Sequence, residues 1–362
     1  MKKIFVSLCL LSLGIGVSAQ FRDSHTVWDR LLWDDKMLNI MLDTRLDFQS
    51  QFNSDLNDLS FHGQTLKLWL AGEIIPGIRY RLRHRLNKPQ TPLREGYSSA
   101  TDHAWVAFDF GKNKSWSITV GKQSVQLGTF EYDYNPADIY LSTMAYNDLD
   151  TYKTGVDVTY SFSKQVIHLQ VVNSDAPQFA SEEYQNKALS VNLMWEGNLF
   201  DGALRTRWGL NTFQHDGSKF YNWLTAGTQV NLGKFTTELD YYLGNRDMDY
   251  GSVVGDDDLG SRYVRDQSAA LNFKFNLGKW RPFIKGTWNQ RKDKKFNSNA
   301  YESFGIQAVV ELYPFTNQYV KDLRFHAMYG YSNTDFQGQF NNLDNQDMHT
   351  LLVGTRWLFK AK

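Results

Sequence analysis

The stretch Ile78-Arg79-Tyr80-Arg81-Leu82-Arg83-His84-Arg85 puts an arginine at every second position, with Ile78, Tyr80 and Leu82 between them. In an extended strand, successive side chains point to opposite faces. One face of this strand is therefore apolar or aromatic, and the other carries four guanidinium groups. Unpaired charge in a dry core costs several kcal/mol per group, so the basic face must be wet. A strand with lipid on one side and a water-filled lumen on the other meets both demands, and that is how transmembrane β-barrels are built.

The same alternation runs outward along the chain, through Val156 to Phe162, Leu189 to Trp195, Leu271 to Leu277 and Phe304 to Leu312. Counting such segments gives about 16, at 38–49, 63–72, 76–86, 102–110, 115–122, 154–163, 165–173, 187–197, 202–214, 219–232, 234–245, 265–277, 280–291, 301–313, 322–333 and 347–359. The expected fold is all-β, a transmembrane antiparallel β-barrel of about 16 strands with an inward-folded third loop.

The connections alternate in length. Short turns are expected at Gly111 to Lys114, Ser163-Lys164, Gly197 to Asp201, Gly233 and Gly278, and longer loops at 87–101, 123–153, 174–186, 246–264, 292–300 and 334–346. Asn-Leu-Gly-Lys joins two strands twice, at Asn231 to Lys234 and at Asn276 to Lys279. Outer-membrane barrels trim the periplasmic end and elaborate the outer one. The expected orientation has the long loops outside the cell and both termini in the periplasm. Aromatic residues also recur at outward sites beside the short turns: Phe110, Trp116, Phe162, Trp195, Phe235, Phe275, Trp280, Tyr313, Trp357 and Phe359. Rings with one apolar and one polar edge favour the headgroup level, so this set reads as an interfacial girdle.

Composition agrees. Aromatic residues make up 15% of the chain against only 7 prolines, which suits long uninterrupted strands. Lys+Arg and Asp+Glu are both 39, so charge balance points to no nucleic-acid partner. Residues 1–19 read as a signal peptide, with Lys2-Lys3, an apolar run and small residues at Val17-Ser18-Ala19. The one cysteine, Cys9, falls inside that segment, so disulfides and thiolate metal sites are not expected in the mature chain. Residues 20–37 form a short periplasmic lead-in, too short for a plug domain; 38–359 form the barrel and 360–362 a C-terminal tail.

Arg79, Arg81, Arg83 and Arg85 would stack about 6.5–7 Å apart along one wall. Parity places Arg45 and Lys67 beside them on neighbouring strands, giving a basic ladder that replaces lost hydration as an anion passes. Arg205, Arg207, Lys274, Arg281, Lys285, Arg291, Arg324 and Arg356 are further inward bases. The alternative is a wall neutralised by the inward acids Asp43, Asp47, Glu73, Asp109 and Asp157.

The connection at 123–153 carries Glu131, Asp133 and Asp138, yet also Phe130, Tyr132, Tyr134, Ile139, Tyr140 and Met144. A fully solvated loop would not need so many apolar groups. The expectation is a loop that folds into the barrel and narrows the bore, with Glu131, Asp133, Asn135 and Asp138 opposing the basic wall. Its sequence, Gly121-Lys122-Gln123 followed by Gly128-Thr129-Phe130-Glu131-Tyr132-Asp133-Tyr134-Asn135-Pro136-Ala137-Asp138-Ile139-Tyr140, resembles the inward-folded loop of porins related to the phosphate-selective porin O and P family, particularly the branch found in Bacteroidetes. The resemblance implies a 16-stranded barrel, commonly a homotrimer, that passes ions and small hydrophilic solutes, with the arginine row as an anion ladder. Phosphate selectivity does not follow from it, because the row stands on the third strand among many inward acids. Trp357-Leu358-Phe359 supplies the aromatic ending of such barrels, although Lys360-Ala361-Lys362 follows it.

The expected function is therefore passive diffusion of ions and small hydrophilic solutes through the outer membrane, among its lipid and lipopolysaccharide, with an anion (phosphate-like) preference left open between the basic ladder and the neutralised wall. No catalytic residues, metal or cofactor are called for. His84 with His103, and His326 with His349, could face each other across strands, but nothing completes a metal site. Asp256-Asp257-Asp258 matches no complete calcium loop. Two rivals stand beside the channel: a structural barrel docking on another outer-membrane machine, and an enzymatic barrel, for which strand parity assembles no acid, histidine and nucleophile at one rim.

Overall fold

The computed structural model describes residues 37–360 apart from 54–56, 175, 177–178, 250–260, 318–319 and 321. The expected signal peptide, nearly all of the lead-in and the Asp256 cluster lie outside the described residues. Those described form sixteen strands: β1 (Asn39–Phe52), β2 (Asn57–Ile75), β3 (Ile78–Arg85), β4 (Thr101–Phe110), β5 (Trp116–Ser124), β6 (Tyr152–Phe162), β7 (Gln165–Asn173) and β8 (Leu189–Leu199) in the first half. The second half holds β9 (Leu204–Asp216), β10 (Lys219–Leu232), β11 (Phe235–Asp249), β12 (Ser261–Phe275), β13 (Trp280–Asp293), β14 (Ser298–Leu312), β15 (Arg324–Phe336) and β16 (Gln346–Lys360). Each strand pairs with its sequence neighbours, and β1 pairs antiparallel with β16 from Met41↔Lys360 to Phe52↔His349, which closes the barrel.

The alternation that sets the strands also sets which side is wet. Along β1, Asp43, Arg45 and Asp47 are buried while Leu46 and Phe48 are exposed, the reverse of a soluble protein. Leu210, Val353, Leu351 and Leu193 are among many large apolar side chains on the outer surface. That surface is stable only against hydrocarbon, which strands of 9–11 residues suffice to span.

At the short-turn end, outward rings form chains across neighbouring strands. Phe110 lies 6.5 Å from Trp116, Trp116 lies 4.5 Å from Tyr160, and Tyr160 lies 5.6 Å from Phe162. Trp357 and Phe359 pair on β16 at 4.9 Å. Tyr313 departs from the expected girdle. It turns to the inner side, where its hydroxyl donates to Glu311 (3.1 Å) and accepts from Arg324 (3.1 Å), with Arg281 over its ring at 3.9 Å.

One loop differs from expectation in length, and two links break the alternation in the way the strand bounds read from sequence already allow. The span 292–300 is not a long loop, because β13 and β14 continue to Asp293 and Ser298 and leave only 294–297 between them. The link between β9 and β10 on the same end is also short, with Asp216 and Lys219 bounding it. Conversely, the link from β14 to β15 on the trimmed end runs from residue 313 to 323. Strands that extend past the lipid need only a tight hairpin to turn back, so hydrophobic pattern alone does not set turn length.

Candidate functional site: the lumen and its third loop

The third loop, residues 125–151, leaves β5 and crosses the lumen before it rejoins the wall at β6. Val125 N–H donates to Thr151 O at 2.9 Å and pins the two ends together. Between them lie two short helices, Phe130–Asp133 and Met144–Asp148, and a 3-10 turn at Pro136–Asp138. Thr129, Asn135 and Thr143 each accept a backbone N–H at the start of one of these, which fixes the loop's path locally.

Glycine sets how closely the loop meets the wall. A Cβ at Gly128 would lie 2.3 Å from Gly209 N, and one at Gly227 would lie 2.9 Å from Phe130 N. Loop backbone and strand backbone are thus in direct contact on β9 and β10, where any side chain would separate them. Here Gly128 N–H donates to Thr225 Oγ1 (2.7 Å), Thr129 Oγ1 bonds Tyr242 OH (2.7 Å), and the Asp240 carboxylate accepts from both Phe130 N (2.8 Å) and Glu131 N (2.9 Å).

The four loop residues singled out from sequence do not share one face. Glu131 is buried and accepts from Lys285 Nζ (2.6 Å), Thr143 Oγ1 (2.6 Å), Thr143 N (3.0 Å) and Tyr242 OH (3.0 Å). Asp133 pairs with Arg207 at 3.1 Å. Both therefore meet bases of β9 and β13 rather than the arginine row on β3. Asn135 and Asp138 reach the other side. Asn135 Oδ1 accepts from Lys67 Nζ (3.1 Å) and its Nδ2 donates to Asp43 (2.8 Å). Asp138 accepts from Arg324 Nη2 and Arg356 Nη1, each at 2.6 Å. Burial pushes the Asp138 carboxyl up, but the charges of Arg356 and Arg324 outweigh it and hold it below the ordinary carboxylate range.

The basic row is held by carboxylates and aromatic faces together. Arg79 forms a two-point pair with Asp109 at 2.5 and 2.6 Å. Asp102 is shared by Arg83 (2.9 Å) and Arg85 (2.8 Å). Arg81 lies over Trp105 at 5.2 Å and Trp69 at 5.9 Å, and Arg83 lies 4.7 Å from both Trp69 and Tyr152. Stacking of this kind keeps guanidiniums extended side by side. Trp69, Trp105 and Tyr152 were not among the residues that the sequence pointed to, although strand parity places Trp69 and Trp105 on the arginine face. Arg45 pairs with Asp47 (2.8 Å), donates to Ala137 O (2.9 Å) and stacks on Tyr140 (4.2 Å).

The second loop also docks. Its Glu95 is buried against Lys122 at 2.7 Å. The expected histidine pairs do not form. His84 bonds Thr101 Oγ1 (3.0 Å) while His103 opposes Arg83, and His326 bonds Asp47 (2.8 Å) while His349 bonds Tyr329 OH (2.8 Å).

Between loop residues 136–141 and the walls of β1, β2 and β14 to β16 a cavity of about 310 Å³ remains. Arg45, Lys67 and Arg85 line it with Gln49, Gln51, Gln64 and Gln307, and none of the described lining residues is Asp or Glu.

A closed barrel with apolar exterior, charged interior and a loop folded across its lumen defines an outer-membrane channel. Residues 37–249 match the family described as phosphate-selective porin O and P, and the chain belongs to that family. It is a channel, not an enzyme. Among solved structures it is similar to the outer-membrane channel DcaP of Acinetobacter baumannii, with 9% identity, TM-score 0.63, and 89% of this chain and 96% of that one covered. It is also similar to the trimer form of OmpT of Vibrio cholerae, with 10% identity, TM-score 0.61, and coverage of 89% and 99%. The anion-selective porin from Comamonas acidovorans follows, with 11% identity, TM-score 0.59, and coverage of 89% and 99%. At these identities the likeness concerns the fold. No curated protein matched the chain.

Proposed function

We propose that the channel passes small hydrophilic solutes with a preference for anions, and that they cross beside the third loop past Arg45, Lys67 and Arg85. The observation that carries this is the cavity between loop and wall, where three cations and four glutamines face one space and no described carboxylate does. Such a lining replaces the hydration of an anion and repels a cation. Arg79, Arg81 and Arg83 continue the basic wall along β3, while Asn135 and Asp138 hold the loop to β1, β2, β15 and β16. The test is the reversal potential of the purified protein in a planar bilayer across a KCl gradient. Wild type should favour chloride, and Lys67→Gln plus Arg85→Gln should move the potential towards zero. Equal potentials for the two proteins would overturn the assignment.

The channel is oriented with its long loops outside and with the paired ends of β1 and β16 in the periplasm, among lipopolysaccharide and outer-membrane lipid. An epitope inserted in loop 86–100 should be accessible on intact cells, and one at 163–164 should not. Three copies associate, as the trimer form of the similar Vibrio cholerae protein suggests. A mass of one chain for the detergent-extracted protein would exclude it.

A further inference from the structure

The inner wall of this barrel is largely polar, but several buried apolar clusters interrupt it, and one of them borders the cavity beside the third loop. Val309 on β14, Met328 on β15 and Leu352 on β16 form a buried apolar cluster on the lumenal side, with Tyr140 of the third loop and Phe283 packed against it. A water-filled lumen gains nothing from apolar groups on its lining, since water cannot bond them. Packing under Tyr140 explains part of the cluster, because that ring lies 6.0 Å from Phe283. Met328 and Leu352 nevertheless also line the 310 Å³ cavity, together with Ile139, Tyr140 and Leu141 of the loop.

The cavity is thus two-sided. Arg45, Lys67 and Arg85 stand on the β1 to β3 side, and Met328 and Leu352 stand on the β15 and β16 side. The guanidinium of Arg45 is turned to Asp47 and to the carbonyl of Ala137, while Lys67 gives one N–H to Asn135 and Arg85 gives its Nε–H to Asp102, so the remaining N–H groups of Lys67 and Arg85 are the principal donors to a guest. A volume of 310 Å³ lies in the range of sites for small organic molecules, which are mostly apolar with a few placed polar groups. Inorganic phosphate would fill only the basic side and leave the apolar one facing water.

We infer that this cavity is a binding site for organic monoanions, in which a carboxylate bonds Lys67 and Arg85 while a hydrocarbon or aromatic body rests on Met328, Leu352 and Tyr140. The inference rests on the channel reading of the same lumen and narrows its solute class.

Current through single channels of the full chain in a planar bilayer tests it, with benzoate and inorganic phosphate as probes at a mildly acidic pH where both are mainly singly charged. Benzoate should half-block the current at a concentration at least roughly tenfold below that of phosphate, the energetic equivalent of about 1.4 kcal/mol. Met328→Gln plus Leu352→Gln should bring the two concentrations together, and Arg85→Gln should raise both. Equal block in the wild type, or tighter block by phosphate, overturns the site and leaves the channel standing. No conductance in any salt overturns the channel reading and the site with it. The wild-type comparison decides the matter even where a variant fails to insert.

Discussion

Asp138, in the third loop, accepts a 2.6 Å bond from Nη1 of Arg356 on the last strand, 218 residues further along the chain. Arg324 of the adjacent strand meets the same oxygen at 2.6 Å. The middle of the loop is therefore fastened to the seam where the barrel closes. Replacing Asp138 by Ala leaves two buried guanidiniums without this partner, and breaking a pair of that kind costs about 3–5 kcal/mol. The variant should unfold at lower temperature in detergent and show larger, noisier single-channel currents as the loop swings from the wall. Unchanged currents would mean that the loop is held elsewhere.

The same contact sets a pH response. Asp138 titrates below its ordinary value of 3.8 because Arg356 and Arg324 outweigh its burial. A carboxyl with a depressed folded-state value stabilises fully above the unfolded value, and that stabilisation is lost as pH falls through the folded one. The loop should stay docked through the mildly acidic range and loosen only in stronger acid. Conductance recorded stepwise downward in pH should change below the ordinary carboxylate range, and the step should vanish in Asp138→Asn.

Close backbone contact makes a steric prediction. Gly227 faces Thr129 and Phe130 of the loop, with 2.9 Å from its would-be Cβ to Phe130 N. Gly227→Leu must push the loop off β10, and overpacking of this sort costs about 1–3 kcal/mol. Limited proteolysis should cut the variant within 125–151 faster than wild type. Equal cutting would show that the wall yields instead.

Glu131 offers the sharpest test of a structural role for a loop carboxylate. Four donors, from Lys285, Thr143 and Tyr242, converge on its two oxygens. Glu131→Gln replaces one oxygen by a donor, which leaves buried donors facing an amide and costs about 1–3 kcal/mol. In a double-mutant cycle with Lys285→Met the two losses should fall short of additivity, because each removes the same ion pair. Additive losses would place the role of Glu131 outside that pair.

The strands were legible because period-two alternation is local, and β7 and β10 have the bounds read from it. The arginine row was legible for the same reason. Its surroundings were not, since Asp102 and Tyr152 reach Arg83 across strands and a bulge that parity does not predict. The loop's inward course followed from its aromatic content, yet its anchors come from β1, β10, β11, β13 and β16, and no local pattern pairs Glu131 with Lys285 at a separation of 154 residues. Gly209 and Gly227 inside strands were overlooked sequence signals, as an isolated strand glycine marks close backbone approach. Tyr313 failed as a girdle residue because a ring beside a turn can take either face, and Arg281 and Arg324 draw it inward.

Salt concentration separates a selective lining from a neutral one. Arg85 is partly exposed to the lumen, whereas Lys67 is almost wholly buried beneath the loop. The field of an exposed charge decays over roughly 10 Å at about 0.1 M salt and roughly 3 Å at about 1 M. If Arg85 sets the anion preference, the preference should fall steeply over that range, because a passing ion senses it through water. If Lys67 sets it, the preference should persist, because contact inside the cavity is screened far less. Reversal potentials at a fixed gradient ratio and rising mean salt, measured for wild type and Arg85→Gln, distinguish the two. A steep fall in wild type and a small, salt-independent preference in Arg85→Gln is the expected result. It would assign long-range attraction to β3 and short-range binding to β2.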